Sequence, residues 1–343
     1  MSHPHHHATS PELARLTLGF VPLLDAALLI VARERGCFAD QGLDVSLSRE
    51  NAWATLRDKV AAGLLDGAQM LAPMPLAMSL GLGRAPCDTL APLLLSRNGN
   101  TVTLSTALSE ASGATLGDAP VVSALALGNW LRSPGNGKRP RLAMVYPYSC
   151  QHYQLREWLT LGDIDPERHV ELVALPPPRM VEALRSGEID GFCAGEPWGT
   201  LARHCGAGRL VATGDQLWPG HPEKVLGVTR SWAEHYPATL AALLRALVAA
   251  SEWLAASPAN RRQARDWLAL PPYLDRALDH LPTLPLSEAP VDQRFSQLRP
   301  EAGEMARVVD HLARQFDVPL RRGVVDACYS PVHFDAATHQ GCA

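Results

Sequence analysis

Apolar and polar positions alternate along 16–21, Leu-Thr-Leu-Gly-Phe-Val, and the run stops at Pro22, which predicts a strand. A helix-compatible stretch over 26–35 follows and is closed by Gly36. Alternation returns over 42–48, and 53–62 carries helical periodicity as far as Gly63. A short apolar strand over 66–71 then precedes a helix over 73–80, with proline at its start. After a Gly- and Pro-rich break over 133–140 the pattern restarts. Strands are predicted over 141–146, 170–175 and 189–194, with helices over 151–161 and 179–186 between them. The order strand–helix–strand–helix–strand thus occurs twice, which predicts two α/β lobes, each with a mostly parallel sheet covered by helices. Beyond a strand over 225–229 the chain is Ala-rich and helical over 237–256, 259–268 and 301–316.

Composition narrows the class. The 343 residues suit two domains or one bilobal one, and 47% hydrophobic with 19% charged residues is ordinary globular usage. A net charge of −4 supplies no basic field for nucleic acid or anionic lipid. The apolar run over 26–32 is far shorter than the ~20 residues of a spanning helix, so no membrane association is expected. Seven cysteines, an odd number and none in a CxxC pair, favour a reducing compartment. Residues 1–10 show neither a basic nor an apolar export region, so a cytoplasmic location is expected. The cluster His3, His5, His6 and His7 could chelate a metal, but no metal or cofactor is assigned to it.

Enzymatic templates fail. The chain has no GxSxG, no HExxH, no phosphate loop and no GxGxxG after its first strand. Cys150 and His152 could be drawn as a thiol–imidazole pair, but such near neighbours do not ordinarily form one. What stands out is polar and aromatic residues just past the carboxyl ends of predicted strands, where an open α/β sheet forms its ligand crevice. Trp53 follows the second strand, Ser149-Cys-Gln-His follows the strand at 141, and Gly195-Glu-Pro-Trp follows the strand at 189. Each lies at or near a helix start, where unpaired N–H groups favour an anion. Lys224 falls in Gly-His-Pro-Glu-Lys-Val, which reads on its own as a solvated loop.

Several segments together carry a resemblance. Phe20-Val-Pro-Leu-Leu-Asp, Ala52-Trp-Ala-Thr-Leu-Arg, Met70-Leu-Ala-Pro-Met-Pro, Asn98-Gly-Asn, Gly191-Phe-Cys-Ala-Gly-Glu-Pro-Trp and His221-Pro-Glu-Lys-Val-Leu-Gly-Val-Thr are similar to the nitrate/bicarbonate-binding protein family of anion ABC transporters. The similarity runs from about residue 16 to 260. It implies an α/β, two-lobed, type II periplasmic-binding-protein-like fold with the ligand cleft between the lobes. It further implies a flexible segment over 1–15, a discontinuous first lobe over 16–100 and 220–343, and a second lobe over 101–219. Carried over by position, the nitrate site would comprise Trp53, Asn100, Gln151, Gly195 and Lys224, with Cys150, His152 and Glu196 lining the cleft. Gln151 stands where relatives often carry histidine, and Asn100 where some carry glutamine.

Without an export signal, the chain is more similar to cytoplasmic nitrate/nitrite sensors of the NasS type. In these the anion releases an RNA-binding antitermination regulator, and only that partner touches RNA. The expectation is therefore a non-enzymatic cytoplasmic sensor of nitrate or nitrite. The first alternative is the receptor of a nitrate or bicarbonate ABC transporter. The second is a same-fold pyrimidine-precursor enzyme of thiamine biosynthesis, for which no catalytic constellation is visible.

Overall fold

The computed structural model describes residues 10–117, 119–275, 294–317 and 322–339. The His3–His7 cluster and Cys342 lie outside the described residues. Among the described residues the strands form two five-stranded sheets. The first contains β1 (Arg15–Phe20), β2 (Asp44–Arg49), β3 (Gly67–Leu71) and β4 (Thr89–Arg97). The second contains β5 (Asn100–Ser105), β6 (Arg141–Met144), β7 (Glu171–Ala174), β8 (Gly191–Gly195) and β9 (Gly208–Thr213), and β10 (Pro222–Thr229) returns to the first. The strand orders are β2-β1-β3-β10-β4 and β7-β6-β8-β5-β9.

The predicted repeat is present. β1 pairs parallel with β2 and β3, and β6 pairs parallel with β7 and β8. Each parallel trio is then flanked by an antiparallel strand that the chain sends across from the other half. β10 runs antiparallel between β3 and β4, and β5 runs antiparallel between β8 and β9. Alternation did not reveal β4, β5 or β9. In β4 all nine residues are buried, Pro92 among them, so a two-sided core strand shows no period.

The chain crosses between the sheets at two places that touch. The first crossing turns on Asn98 and Gly99, both at positive φ (56° and 91°), which leaves β4 and β5 in different sheets. The second, between β9 and β10, is held to it. The Asn98 N–H donates to His221 O at 3.0 Å, and Asn98 Nδ2 donates to Asp215 Oδ1 at 2.7 Å.

The first core packs helix Ala27–Glu34 against helix Pro237–Ala256. The latter has 20 residues and is apolar enough by length and composition to cross a bilayer, although Arg245 and Glu252 interrupt it. The residues on its inner side, Leu240, Leu243, Leu244 and Leu247 among them, are buried in the first core. The expected flexible lead over 1–15 is corrected in its second part. The Glu12 carboxylate accepts from the N–H groups of Ala238 and Thr239, at 2.9 and 2.7 Å, and so caps that helix. Although burial opposes it, these bonds hold the Glu12 carboxyl down at about 2.

The second core reaches from the first lobe, at Leu56 and Met70, into the second, where it includes Tyr153, Leu155, Trp158 and Phe192. There helix Pro120–Leu131 meets the end of helix Cys150–Leu161 so closely that a Cβ on Gly128 would fall 2.1 Å from Gly162 O.

The carboxy-terminal part does not stay with the first lobe, as expected for 220–343, but straddles both. Leu298 O accepts from the Leu94 N–H at 2.8 Å, and Arg97 pairs with Glu304 at 2.9 Å, anchoring the segment on β4. Helix Ala306–Phe316 then lies against the second lobe. His311 stacks on Tyr153 with centroids 5.2 Å apart, Phe316 packs on Tyr148, and Arg307 Nη1 donates to Leu217 O at 3.1 Å. The chain returns through helix Arg322–Cys328, and Tyr329 Oη donates to Ala72 O in the first lobe at 2.7 Å. An amphipathic face buries Val308 and Leu312 beneath this strap.

Candidate functional site

Between the sheets, beside the two crossings, lies a buried charged cluster centred on Lys224. It sits in β10 rather than in the solvated loop its neighbours suggested, because the strand starts at Pro222. Its register places it opposite Leu71 of β3 and Ser96 of β4. The side chain has no solvent exposure, and its Nζ pairs with Asp25 Oδ2 at 2.7 Å and with Glu223 Oε1. It also stands 5.5 Å from the centroid of the Trp53 ring. Trp53 opens helix Trp53–Ala61 and is 1% exposed.

The second lobe supplies the amides. Asn100 begins β5, and its Nδ2 donates to Glu223 Oε2 at 2.8 Å and to Gln154 Oε1 at 2.9 Å. Gln151, in the first turn of helix Cys150–Leu161, donates through Nε2 to Glu223 Oε1 at 2.5 Å and to Asn100 Oδ1 at 2.9 Å. Gly195 ends β8 directly opposite Asn100. A Cβ there would stand 3.2 Å from Leu23 Cδ2 and 3.3 Å from Asp25 Oδ2, so the bare glycine lets the two lobes approach. Trp53, Asn100, Gln151, Gly195 and Lys224 are thus brought together across the lobe junction.

The cleft-lining expectations divide. Cys150 belongs to the cluster's edge. Its Sγ lies 3.5 Å from Pro222 O, and burial, with Glu223 nearby, keeps the thiol protonated. Glu196 lies on the lobe junction, where its carbonyl accepts from the Leu24 N–H at 2.8 Å, while its buried carboxylate accepts from Thr200 N at 3.1 Å. Burial raises that carboxyl to about 7. His152 turns away from the cluster, toward Pro147 O at 2.8 Å and Gln315 of the strap, and burial lowers it to about 4. The Cys150–His152 dyad is therefore not assembled.

Asp25, Glu223 and His221 are the residues that sequence reasoning missed, although all three stood inside the quoted segments. Burial raises the Asp25 carboxyl to about 6 despite the adjacent ammonium, and Gln69 Nε2 donates to its Oδ1. Glu223 is held below its ordinary range, because Lys224 and His221 together outweigh its burial. Lys224 is raised, since the two carboxylates outweigh the cost of burying it. The signal was present: Asp25 is a charge inside an apolar run, and the adjacent acid and base in His-Pro-Glu-Lys offer it a counter-ion.

An ammonium has three donors, and two are taken by carboxylates. Two polar atoms at this junction, Trp53 Nε1 and Gln151 Oε1, lack a hydrogen-bond partner among the described residues. Such buried atoms are costly to leave unpaired, so the junction has hydrogen-bonding capacity in reserve. A cavity of about 340 Å3 lined by Arg57, Met78, Leu82, Arg84 and Cys87 shares no residue with the cluster. No group of three His, Cys, Asp or Glu side chains able to hold a metal occurs among the described residues.

Comparison with known proteins agrees with this architecture. The model of the NMT1-like family matches residues 9–269. The chain belongs to the NMT1-like family. It is 42% identical over 272 residues to the nitrate import ATP-binding protein NrtC of Synechocystis sp., covering 79% of this chain and 39% of that protein. It is 33% identical over 254 residues to the bicarbonate-binding protein CmpA of Synechococcus sp., covering 72% of this chain and 55% of that protein. The chain therefore spans only about two-fifths to a half of the length of these curated relatives. Among solved structures, the periplasmic nitrate-binding protein NrtA of Synechocystis PCC 6803 superposes with a TM-score of 0.85 at 24% identity, over 97% of this chain and 90% of that one. The fold of this NMT1-like protein is the two-lobed α/β periplasmic-binding-protein fold.

Proposed function

We propose that this chain binds an oxyanion of the nitrate–bicarbonate class between its lobes and serves the import of that anion. The observation that carries the reading is the fully buried Lys224 ammonium at the lobe junction, beside the indole of Trp53 and paired with Glu223, whose carboxylate the amides of Asn100 and Gln151 hold from the second lobe. The names of the relatives supply the ligand class, and their transport systems supply the role of receptor.

The placement also explains how binding would be felt. Lys224 and Trp53 belong to the first sheet and its helices, whereas Asn100, Gln151 and Gly195 belong to the second. An anion touching both sets binds the closed arrangement better than an open one, and that differential affinity is what shifts the equilibrium. A ligand of four heavy atoms can gain at most ~1.5 kcal/mol per atom, about 6 kcal/mol in all, or a Kd of roughly tens of micromolar.

A second reading has its own support. Identity is higher to part of an importer's ATP-binding protein, 42%, than to a binding protein, 33%. An ATP-binding protein works where ATP is, which motivates a cytoplasmic reading, but the role of a nitrate or nitrite sensor there rests on the resemblance. Control of an RNA-binding antitermination regulator rests on the resemblance alone.

Titration calorimetry with nitrate, nitrite and bicarbonate, and with sulfate and chloride as controls, tests the binding claim. Saturable one-to-one binding of a planar oxyanion is expected, and heats no larger than those of the controls would refute it. Purification from the native cell with and without nitrate separates the roles. Recovery of transporter subunits supports the receptor, and recovery of an RNA-binding protein that nitrate releases supports the sensor.

A further inference from the structure

We infer that capture of the anion at Lys224 is coupled to uptake of one proton, and that Asp25 is the residue that takes it. The inference rests on the proposed anion site and begins from its charge. Lys224, Asp25 and Glu223 are all at most 1% exposed, and they bring one ammonium and two carboxylates into one buried volume. A nitrate added there would make three negative groups around a single positive one. Buried charge of that kind is not tolerated unpaired; it is neutralised by protonation instead.

The surroundings decide which carboxylate yields. Glu223 accepts from Asn100 Nδ2 and Gln151 Nε2 and faces His221 Nε2 at 3.4 Å, so three groups besides Lys224 favour its ionised form. Among the described residues Asp25 has only Gln69 besides Lys224. Its Oδ2 is held by the ammonium at 2.7 Å, so the anion and Asp25 draw on the same Nζ. Among the described residues no other titratable group of the cluster pairs with Lys224. Cys150 on its helix and Cys193 on β8 face Glu223 as thiols that burial keeps protonated. Glu196, behind Gly195, is occupied with Thr200 and is influenced by Arg203.

Protonation changes what Asp25 can do. As a carboxylate it competes with the anion for the ammonium, whereas as an acid it becomes an O–H donor to an oxyanion oxygen. No side chain at Gly195 stands between its Oδ2 and the second lobe. The balance is protein plus anion plus one proton, giving a complex of unchanged net charge. With Asp25 titrating near 6 before the anion arrives, the site is half-charged at that pH and ionised above it. Affinity should therefore weaken about tenfold per pH unit above roughly pH 6.

Calorimetry of the full chain with sodium nitrate, which carries no titratable proton in this range, tests the inference. Titrations at pH 7.5 in phosphate and in Tris, buffers of different ionisation enthalpy, give the number of protons taken up. The expected result is close to one, with Kd rising about tenfold from pH 7 to pH 8. Asp25→Asn should bind nitrate with no proton uptake, with an affinity nearly independent of pH, and at pH 8 at least as tightly as the parent. Saturable binding by the parent without proton uptake overturns the inference and leaves the anion site standing. Undiminished uptake by Asp25→Asn overturns the assignment to Asp25. Absence of nitrate, nitrite or bicarbonate binding from pH 5.5 to pH 8 removes the anion site and the inference together.

Discussion

Replacing Asp25 by asparagine should stabilise the ligand-free protein, and more at high pH than at low. Burial raises this carboxyl from 3.8 to about 6, so the folded state holds the proton more tightly than the unfolded chain does. Stability is therefore lost as pH rises from about 4 through 6, and the full cost is present above that window. The displacement corresponds to about 3 kcal/mol at pH 8 and about 1 kcal/mol at pH 4.5. Asparagine has nearly the shape of the protonated acid and leaves Lys224 paired with Glu223 alone. Asp25→Asn should thus gain roughly 2 kcal/mol more at pH 8 than at pH 4.5. Thermal unfolding of both proteins at the two pH values, without added anion, reads this as a larger rise in Tm, by a few degrees, at pH 8. A variant that is less stable than its parent by the same amount at both pH values would refute the reasoning. It would mean that the ionised Asp25–Lys224 pair is a net gain to the fold.

Three further outcomes follow from the packing. Lys224→Met leaves Asp25 and Glu223 without their counter-charge and should cost about 3–5 kcal/mol at pH 8, and less at pH 5 as the carboxylates take up protons. Urea unfolding at the two pH values checks it. Gly128→Ala sets a methyl group 2.1 Å from the backbone oxygen of Gly162 and should cost about 1–3 kcal/mol or more, seen as a lowered Tm with anion affinity retained. Leu312→Ala empties a fully buried position under the strap and should cost about 2–5 kcal/mol. Because the strap touches both lobes, it should also speed anion dissociation in stopped-flow traces of tryptophan fluorescence.

The parallel trios were legible because their strands alternate or are short and sit between helices with clear ends, Gly36, Gly63 and Gly187 among them. The strands that cross between the halves were not. β4 is buried on both faces, and in β5 the residues that would mark a polar face, Thr101 and Thr103, are buried as well. Periodicity has nothing to report when neither face meets water. At the candidate site, position relative to strand ends singled out Trp53 and the segments holding Gln151 and Gly195, and the resemblance added Asn100 and Lys224. It missed the acids because a site drawn for an anion directs attention to donors. Burial of Lys224 is what makes Asp25 and Glu223 obligatory, and burial of a lysine in a Gly-Pro-rich segment is set by tertiary packing. The strap was equally hidden, since the amphipathic pattern of Ala306–Phe316 announces a buried face without saying which lobe buries it.

The central claim is that the oxyanion is held by Lys224 at the lobe junction. Its most direct test is a calorimetric titration of nitrate and bicarbonate into the double variant Asp25→Asn/Lys224→Gln. This variant removes the ammonium but keeps the net charge of the cluster, so the fold is not asked to bury two unpaired carboxylates. The account predicts a folded protein that binds neither anion, beside a parent that binds at least one of them one-to-one. Parent-like affinity in the double variant would contradict it and place the anion elsewhere on the molecule.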